Sequence, residues 1–289
     1  MSAVLYDSPG PVARRRERIG GIVGLLIVLG LLALGVWFAA GRGVLDADHW
    51  DILFDPPKDQ TAADVWRSMV IQGLGATLRA AAVAAPLALV LGLVLAMFRT
   101  ARHAVLRVPA IVVIELFRGL PVLLMMFFGL LGFGWDAFTS VVFGLTVYNM
   151  AIIAEILRAG LAALPKGQAE AAYAVGLNRR QTMLTILLPQ AVRTMLPSLI
   201  AQLIVLLKDS SLGFIVGYAE LLKSIQNNAQ YFGNDYYVAL FVVGAGIYLV
   251  VNLSLSWLAR RLQRSTAKTS AAPPATQDLG TQSLSTGGT

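Results

Sequence analysis

The chain has no cysteine among its 289 residues. Disulfides, thiolate catalysis and cysteine-held metal sites are excluded with it. Histidine is almost as scarce, with only His49 and His103 present. No Ser-His-Asp or metal-binding constellation can be built from them, so no catalytic residue and no metal ligand is expected. A GxxxxGK[ST] run is also missing, and with it the usual backbone cradle for the phosphates of ATP. Charge is sparse: Asp, Glu, Lys and Arg make up 13% of the residues, where a soluble domain carries about 25%.

Apolar residues fill the space, at 57% of the chain. Uncharged stretches run over 19–41, 80–98, 119–135, 137–154, 194–207 and 236–259. A helix needs about 20 mostly apolar residues to cross a bilayer. The first, second and last stretches are long enough unaided, and the other three must extend over a charged neighbour. The expected class is an all-α integral membrane protein with six transmembrane helices. They fall at about 20–40, 67–98, 108–133, 138–161, 192–217 and 236–261. Arg14, Arg15, Arg16 and Arg18 precede the first, as in a signal peptide. Its apolar core exceeds the usual length of roughly 7–15 residues, so a retained span is expected.

Loops rich in Lys and Arg stay in the cytoplasm. Starting from a cytoplasmic basic tail at 1–19, the basic clusters Arg99/Arg102/Arg107, Lys166/Arg179/Arg180 and Arg260/Arg261/Arg264 all fall on one side. The loop 41–66 falls on the other, with Asp46, Asp48, Asp51, Asp55, Asp59 and Asp64 against Arg42 and Lys58. Thr61 and Asp64 suit a helix start leading into the second span, although an exposed connector fits as well. Both termini are therefore expected in the cytoplasm. The net charge of +7 is scattered at the ends of apolar runs, which suits topology and not a nucleic-acid partner. The segment 265–289 lacks the apolar residues to order itself and is expected to be a disordered cytoplasmic tail.

One polar segment, 165–189, interrupts the apolar pattern. Residues 168–175 suit a short helix, with small Ala171, Ala172 and Ala174 permitting close approach. Gly176 can end it in a positive-φ conformation. Asn178 can cap a second helix over 179–188, and Pro189 suits a boundary before the next span. Composition alone makes this an ordinary cytoplasmic loop. Its spacing is more specific: Glu170, Ala171 and Ala172, three residues, Gly176, nine residues, then Ile186, Leu188 and Pro189. The segment resembles, at each of these positions, the coupling loop of type I ABC-importer permeases. Thr77-Leu78, 115–121 (ELFRGLP), 154–158 (AEILR), 165–168 (PKGQ), 188–190 (LPQ) and 208–212 (KDSSL) extend the resemblance to the polar amino-acid subfamily. It covers about 66–264. Within the subfamily the chain looks most like the actinobacterial glutamate-type permeases with an extra leading span.

The resemblance implies a five-helix core over 67–264 behind an extra helix at 20–40 and an acidic extracytoplasmic loop at 41–66. It implies a non-enzymatic permease subunit of a bacterial inner-membrane importer. Two copies of a separate ATPase would bind ATP and Mg, so this chain needs no cofactor of its own. A second permease chain, a paralogue, would complete the pathway, and an extracytoplasmic amino-acid-binding protein would deliver substrate. Glu170 would contact the ATPase and Gly176 would set the turn, within a coupling site that also includes Ala171, Ala172, Arg179, Arg180, Ile186 and Pro189. Glutamate is the leading substrate, with glutamine or a basic amino acid open. On the residues alone, an ion-coupled secondary transporter or a non-transporting membrane subunit also stays open.

Charges within spans cost roughly 2.5–3.5 kcal/mol on insertion scales and so mark partners or a cavity. Glu115/Arg118 and Glu155/Arg158 are each three apart and can pair along one helix face. These four and Asp209 are expected to be structural or gating charges. Arg79, Asn149, Gln202 and Lys208 are candidates for a substrate pathway, though each could instead bond a neighbouring helix.

Overall fold

The computed structural model describes residues 10–41, 43 and 46–270, with side chains up to 261. All regular structure among the described residues is helical. The chain divides into two compact units: Met1–Gly75 with Ala219–Gly246, and Ala76–Tyr218 with Ile247–Thr289.

The first unit begins with α1 (Pro11–Gly41), uniformly apolar after its basic start and without a buried residue. Two 3-10 turns, Ala47–His49 and Asp51–Leu53, follow. They bury Ile52 and Leu53, and the Trp66 indole N–H donates to the Leu53 carbonyl at 3.1 Å. This part of the acidic loop is therefore packed, not a bare connector. The helix α2 (Ala62–Arg99) starts at Thr61, whose N–H and hydroxyl donate to Asp64 at 3.0 and 2.7 Å. Its stretch Arg67–Leu74 is wound as a π-helix.

The chain returns to this unit with α8 (Leu221–Phe232), which falls between the spans expected at 192–217 and 236–261. Leu221, Ile225, Ala229 and Phe232 are buried, the spacing of a helix with one apolar stripe. Glu220 caps it, wholly buried, accepting from the N–H groups of Leu222 and Lys223 at 3.1 and 2.8 Å. A Cβ on Gly73 would stand 2.7 Å from the Ser224 hydroxyl, so α2 and α8 touch almost backbone to backbone.

The second unit is built around α5 (Ala137–Ala162). Asp136 caps it, accepting from the Thr139 hydroxyl and, at 3.2 Å, from the Thr139 N–H. Those bonds hold the Asp136 carboxyl below its usual range. Along α2, Ala80, Ala84, Ala88, Gly92 and Ala96 are buried at every fourth position. A Cβ on Gly92 would lie 2.7 Å from Ile153 of α5. Lipid offers no hydrophobic drive for helix pairing, so small residues that admit close backbone approach take that role.

The span expected over 108–133 is not one helix. It is α3 (Ala104–Gly119) and α4 (Val122–Gly132), bent by 103°. Leu120 and Pro121 between them are extended. Proline disfavours helical backbone in the residue before it and offers no N–H of its own. With α6 (Lys166–Ala174), α7 (179–209) and α9 (Tyr237–Ser270), the described residues hold five helices long and apolar enough to cross a membrane. They make six if the bent pair counts as one span. The expected tail begins inside α9, and its residues from 271 lie outside the described ones.

Candidate coupling site and substrate pathway

The first expected helix of the loop is α6. It closes through two bonds, from the Gly176 N–H to Tyr173 at 3.0 Å and from the Leu177 N–H to Ala172 at 3.1 Å. This crossed pair needs a left-handed residue, and Gly176 supplies it at φ 84°. Asn178 then caps α7, accepting from the Gln181 N–H at 2.9 Å while its own N–H donates to the Gln181 side chain at 3.0 Å. Glu170 and Ala171 are exposed, Ala172 is buried, and Arg179 and Arg180 are exposed. Glu170 has no ion pair among the described residues. Beside it Tyr173 and Val175 are 48% and 78% exposed.

Pro189 does not end the second helix. Helical winding continues from Arg179 through a π-helical segment, Thr182–Leu187, into Leu188–Asp209. In a π turn a carbonyl takes its donor from five residues on instead of four. Pro189 stands in the first turn of the α-helical stretch that follows this segment, the place where a missing N–H is tolerated. Ile186 lies within the π segment, half-buried. The second half of the loop is thus a continuous extension of a long helix.

The loop is tied to α2: the Arg179 guanidinium donates to the Thr100 carbonyl at 3.2 Å. Next to Thr100 stands Arg99, a residue absent from the sequence-derived candidates. It reaches Glu155 of α5 at 2.9 Å and Glu115 of α3 at 3.5 Å. Glu115 also holds Arg118, and Glu155 holds Arg158 at 2.6 Å. Five charges of alternating sign, Arg118–Glu115–Arg99–Glu155–Arg158, therefore join α2, α3 and α5. The two pairs at three-residue spacing were readable from sequence. The bridge was not, because Arg99 and Glu155 are far apart along the chain. Arg118 lies three residues before Pro121, so the network adjoins the α3–α4 break.

The pathway candidates separate. Arg79 is exposed, with its guanidinium 4.6 Å from the Phe138 ring centroid. Phe138 in turn lies 5.8 Å from Tyr218, whose hydroxyl donates to the Ala76 carbonyl at 2.8 Å. Asn149 is wholly buried: its amide donates to Leu145 at 2.7 Å and its oxygen accepts from Gln202 at 2.8 Å. A buried amide needs such partners, and the pair joins α5 to α7, with Gln202 half-buried. Lys208 is exposed and Asp209 half-buried at the end of α7, and neither has an ion pair among the described residues. The backbone beside them is anchored, since the Tyr248 hydroxyl donates to the Leu207 and Lys208 carbonyls at 3.2 and 3.0 Å.

Residues 88–268 match the family described as the binding-protein-dependent transport system inner membrane component. The chain belongs to this family. The permease is 45% identical to the glutamate transport system permease protein GluD of Corynebacterium glutamicum over 78% of this chain and 82% of that one. It is 36% identical to the probable glutamine ABC transporter permease protein GlnP of Bacillus subtilis, over 66% and 90% of the two chains. Among solved structures it is similar to the crystal structure of an amino acid ABC transporter with histidines. The TM-score is 0.64 at 30% identity, covering 71% of this permease and 97% of that chain. A multi-pass membrane permease of an ABC transporter is therefore what the charge-poor composition encodes.

Proposed function

We propose that this permease carries a polar amino acid, with L-glutamate as the leading substrate, into the cytoplasm, driven by ATPase subunits that dock on 170–189. The observation that carries the coupling is the self-terminated helix α6. It presents Glu170, without an ion pair among the described residues, together with exposed Tyr173 and Val175 on a loop continued helically into α7. Motion imposed on α6 would pass along α7, and through Arg179 to Thr100 beside the five-charge network. The glutamate assignment rests on the likeness to GluD, and exposed Arg79 and Lys208 suit an anionic substrate. The likeness to a probable glutamine permease keeps glutamine as the second reading.

In this proposal two ATPase copies hold ATP and Mg, a paralogous permease completes the pathway, and an external binding protein delivers substrate. The distribution of Lys and Arg supports cytoplasmic termini and an extracytoplasmic 41–66 loop. Glu170→Lys with Gly176→Asp should leave the subunit in the membrane. In proteoliposomes containing the whole transporter, it should lower ATP-driven glutamate uptake by tenfold or more, equivalent to roughly 1.4 kcal/mol or more. Normal uptake by that variant would sink the coupling assignment.

A further inference from the structure

We infer that the first unit carries a separate binding site for a free acidic amino acid, in the cleft between the start of α2 and α8. The inference rests on the reading of the chain as an acidic amino-acid permease. The cleft has a volume of about 340 Å³. Its apolar lining comes from buried Val65 and Phe232, and one side is closed by the hydrogen bond from the Asn228 amide to the Ser68 hydroxyl at 3.1 Å.

The charges in the cleft point to a zwitterion. Asp64 and Arg67 line it three residues apart on one helix, yet no ion pair joins them. The Asp64 carboxylate is held by Thr61 at the helix start. The Arg67 guanidinium has no ion pair or side-chain hydrogen bond among the described residues, so its fork of donors is available to a carboxylate in bidentate fashion. Gln72, one helical turn beyond Ser68, adds an amide. Outside the lining itself, Lys58 donates to the carbonyl of Tyr231, a lining residue, and lies 4.6 Å from the Tyr231 ring centroid. One cation and one anion, Arg67 and Asp64, therefore line a pocket with an apolar wall, and a second cation, Lys58, is held against Tyr231 of that lining. A small molecule with one ammonium and two carboxylates matches that set: Arg67 and Lys58 for the carboxylates, Asp64 for the ammonium, Val65 and Phe232 for the methylenes. The loop charge pattern puts this cleft on the outer face, where substrate leaves its delivery protein.

The absence of cysteine makes the test direct. Gln72→Cys gives the full-length chain a single thiol, which a membrane-impermeant maleimide can label in nanodiscs. A ligand at ten times its Kd leaves about one site in eleven open, so saturating L-glutamate should slow labelling by about tenfold. Adding Arg67→Gln should abolish protection, read as the ratio of that variant's own labelling rates with and without L-glutamate, because losing a nearby cation alters thiol reactivity by itself; Asn228→Asp should weaken protection. Equal labelling with and without L-glutamate overturns the site, as does protection that survives Arg67→Gln but is lost in Arg79→Gln. If glutamate uptake is normal and protection absent, this inference fails alone. If protection is present and glutamate uptake absent, the site stands and the transport reading falls.

Discussion

The helices α1 and α5 are both long enough to cross a bilayer, and they are opposite in burial. The most apolar stretch of α1 has a mean hydropathy of 2.7 and none of it is buried, while that of α5 has 1.8 and 72% of it is buried. In a water-soluble protein the order would be reversed. A lipid-facing helix must be apolar all round, because hydrocarbon cannot satisfy a polar group. An enclosed helix can carry Asn149 and Glu155, because neighbouring helices supply their partners. Hydropathy therefore finds a span, and the polar exceptions within it point to the helix that others surround.

The sharpest way to break this comparison is to place bulk in the two helices. A Cβ on Gly144 of α5 would stand 2.5 Å from Met126, whereas one on Gly30 of α1 meets nothing within 4 Å. Gly144→Leu should destabilise the chain by about 3 kcal/mol through overpacking, and Gly30→Leu by less than about 0.5 kcal/mol. Unfolding midpoints in detergent titrations would read the difference, and equal effects would refute the burial contrast. The next test removes a polar partner. Asn149→Leu strands the Gln202 amide and should cost about 1–2 kcal/mol. Pairing it with Gln202→Leu should recover part of that loss, and a single variant as stable as the parent would show that the bond carries no weight. The smallest effect is expected from removing 1–41. Since α1 buries nothing within the chain, the remaining helices should unfold within about 0.5 kcal/mol of the intact protein. A larger shift would mean that α1 supports the core.

Much of the candidate coupling site was legible because it is local. The left-handed closure at Gly176 and the cap at Asn178 depend on residues within one turn of each other, and both appear where the sequence puts them. The same holds for the Glu115/Arg118 and Glu155/Arg158 pairs. Pro189 suits a helix boundary and does stand in the first turn of Leu188–Asp209, but a π segment runs into it without a break, a winding with no simple sequence signature. The 108–133 span was misread because apolar residues on both sides of Pro121 conceal a 103° break. Helix α8, at twelve residues, is too short to cross a membrane and gives no span signal. Its apolar stripe at Leu221, Ile225, Ala229 and Phe232 was there to be read.

By itself, the sequence determined that this is a helical membrane protein, roughly where its spans lie, and which loop has the spacing of a coupling motif. Those properties follow from solvation and from contacts a few residues long. Only the tertiary structure decided that Arg99 joins Glu115 to Glu155, that Asn149 faces Gln202, and that Asp64 and Arg67 share a cleft with Asn228. Each brings together groups distant along the chain, and their distances depend on how closely helices approach. The small residues Gly73 and Gly92 set that approach, and no local periodicity states which partner each will meet.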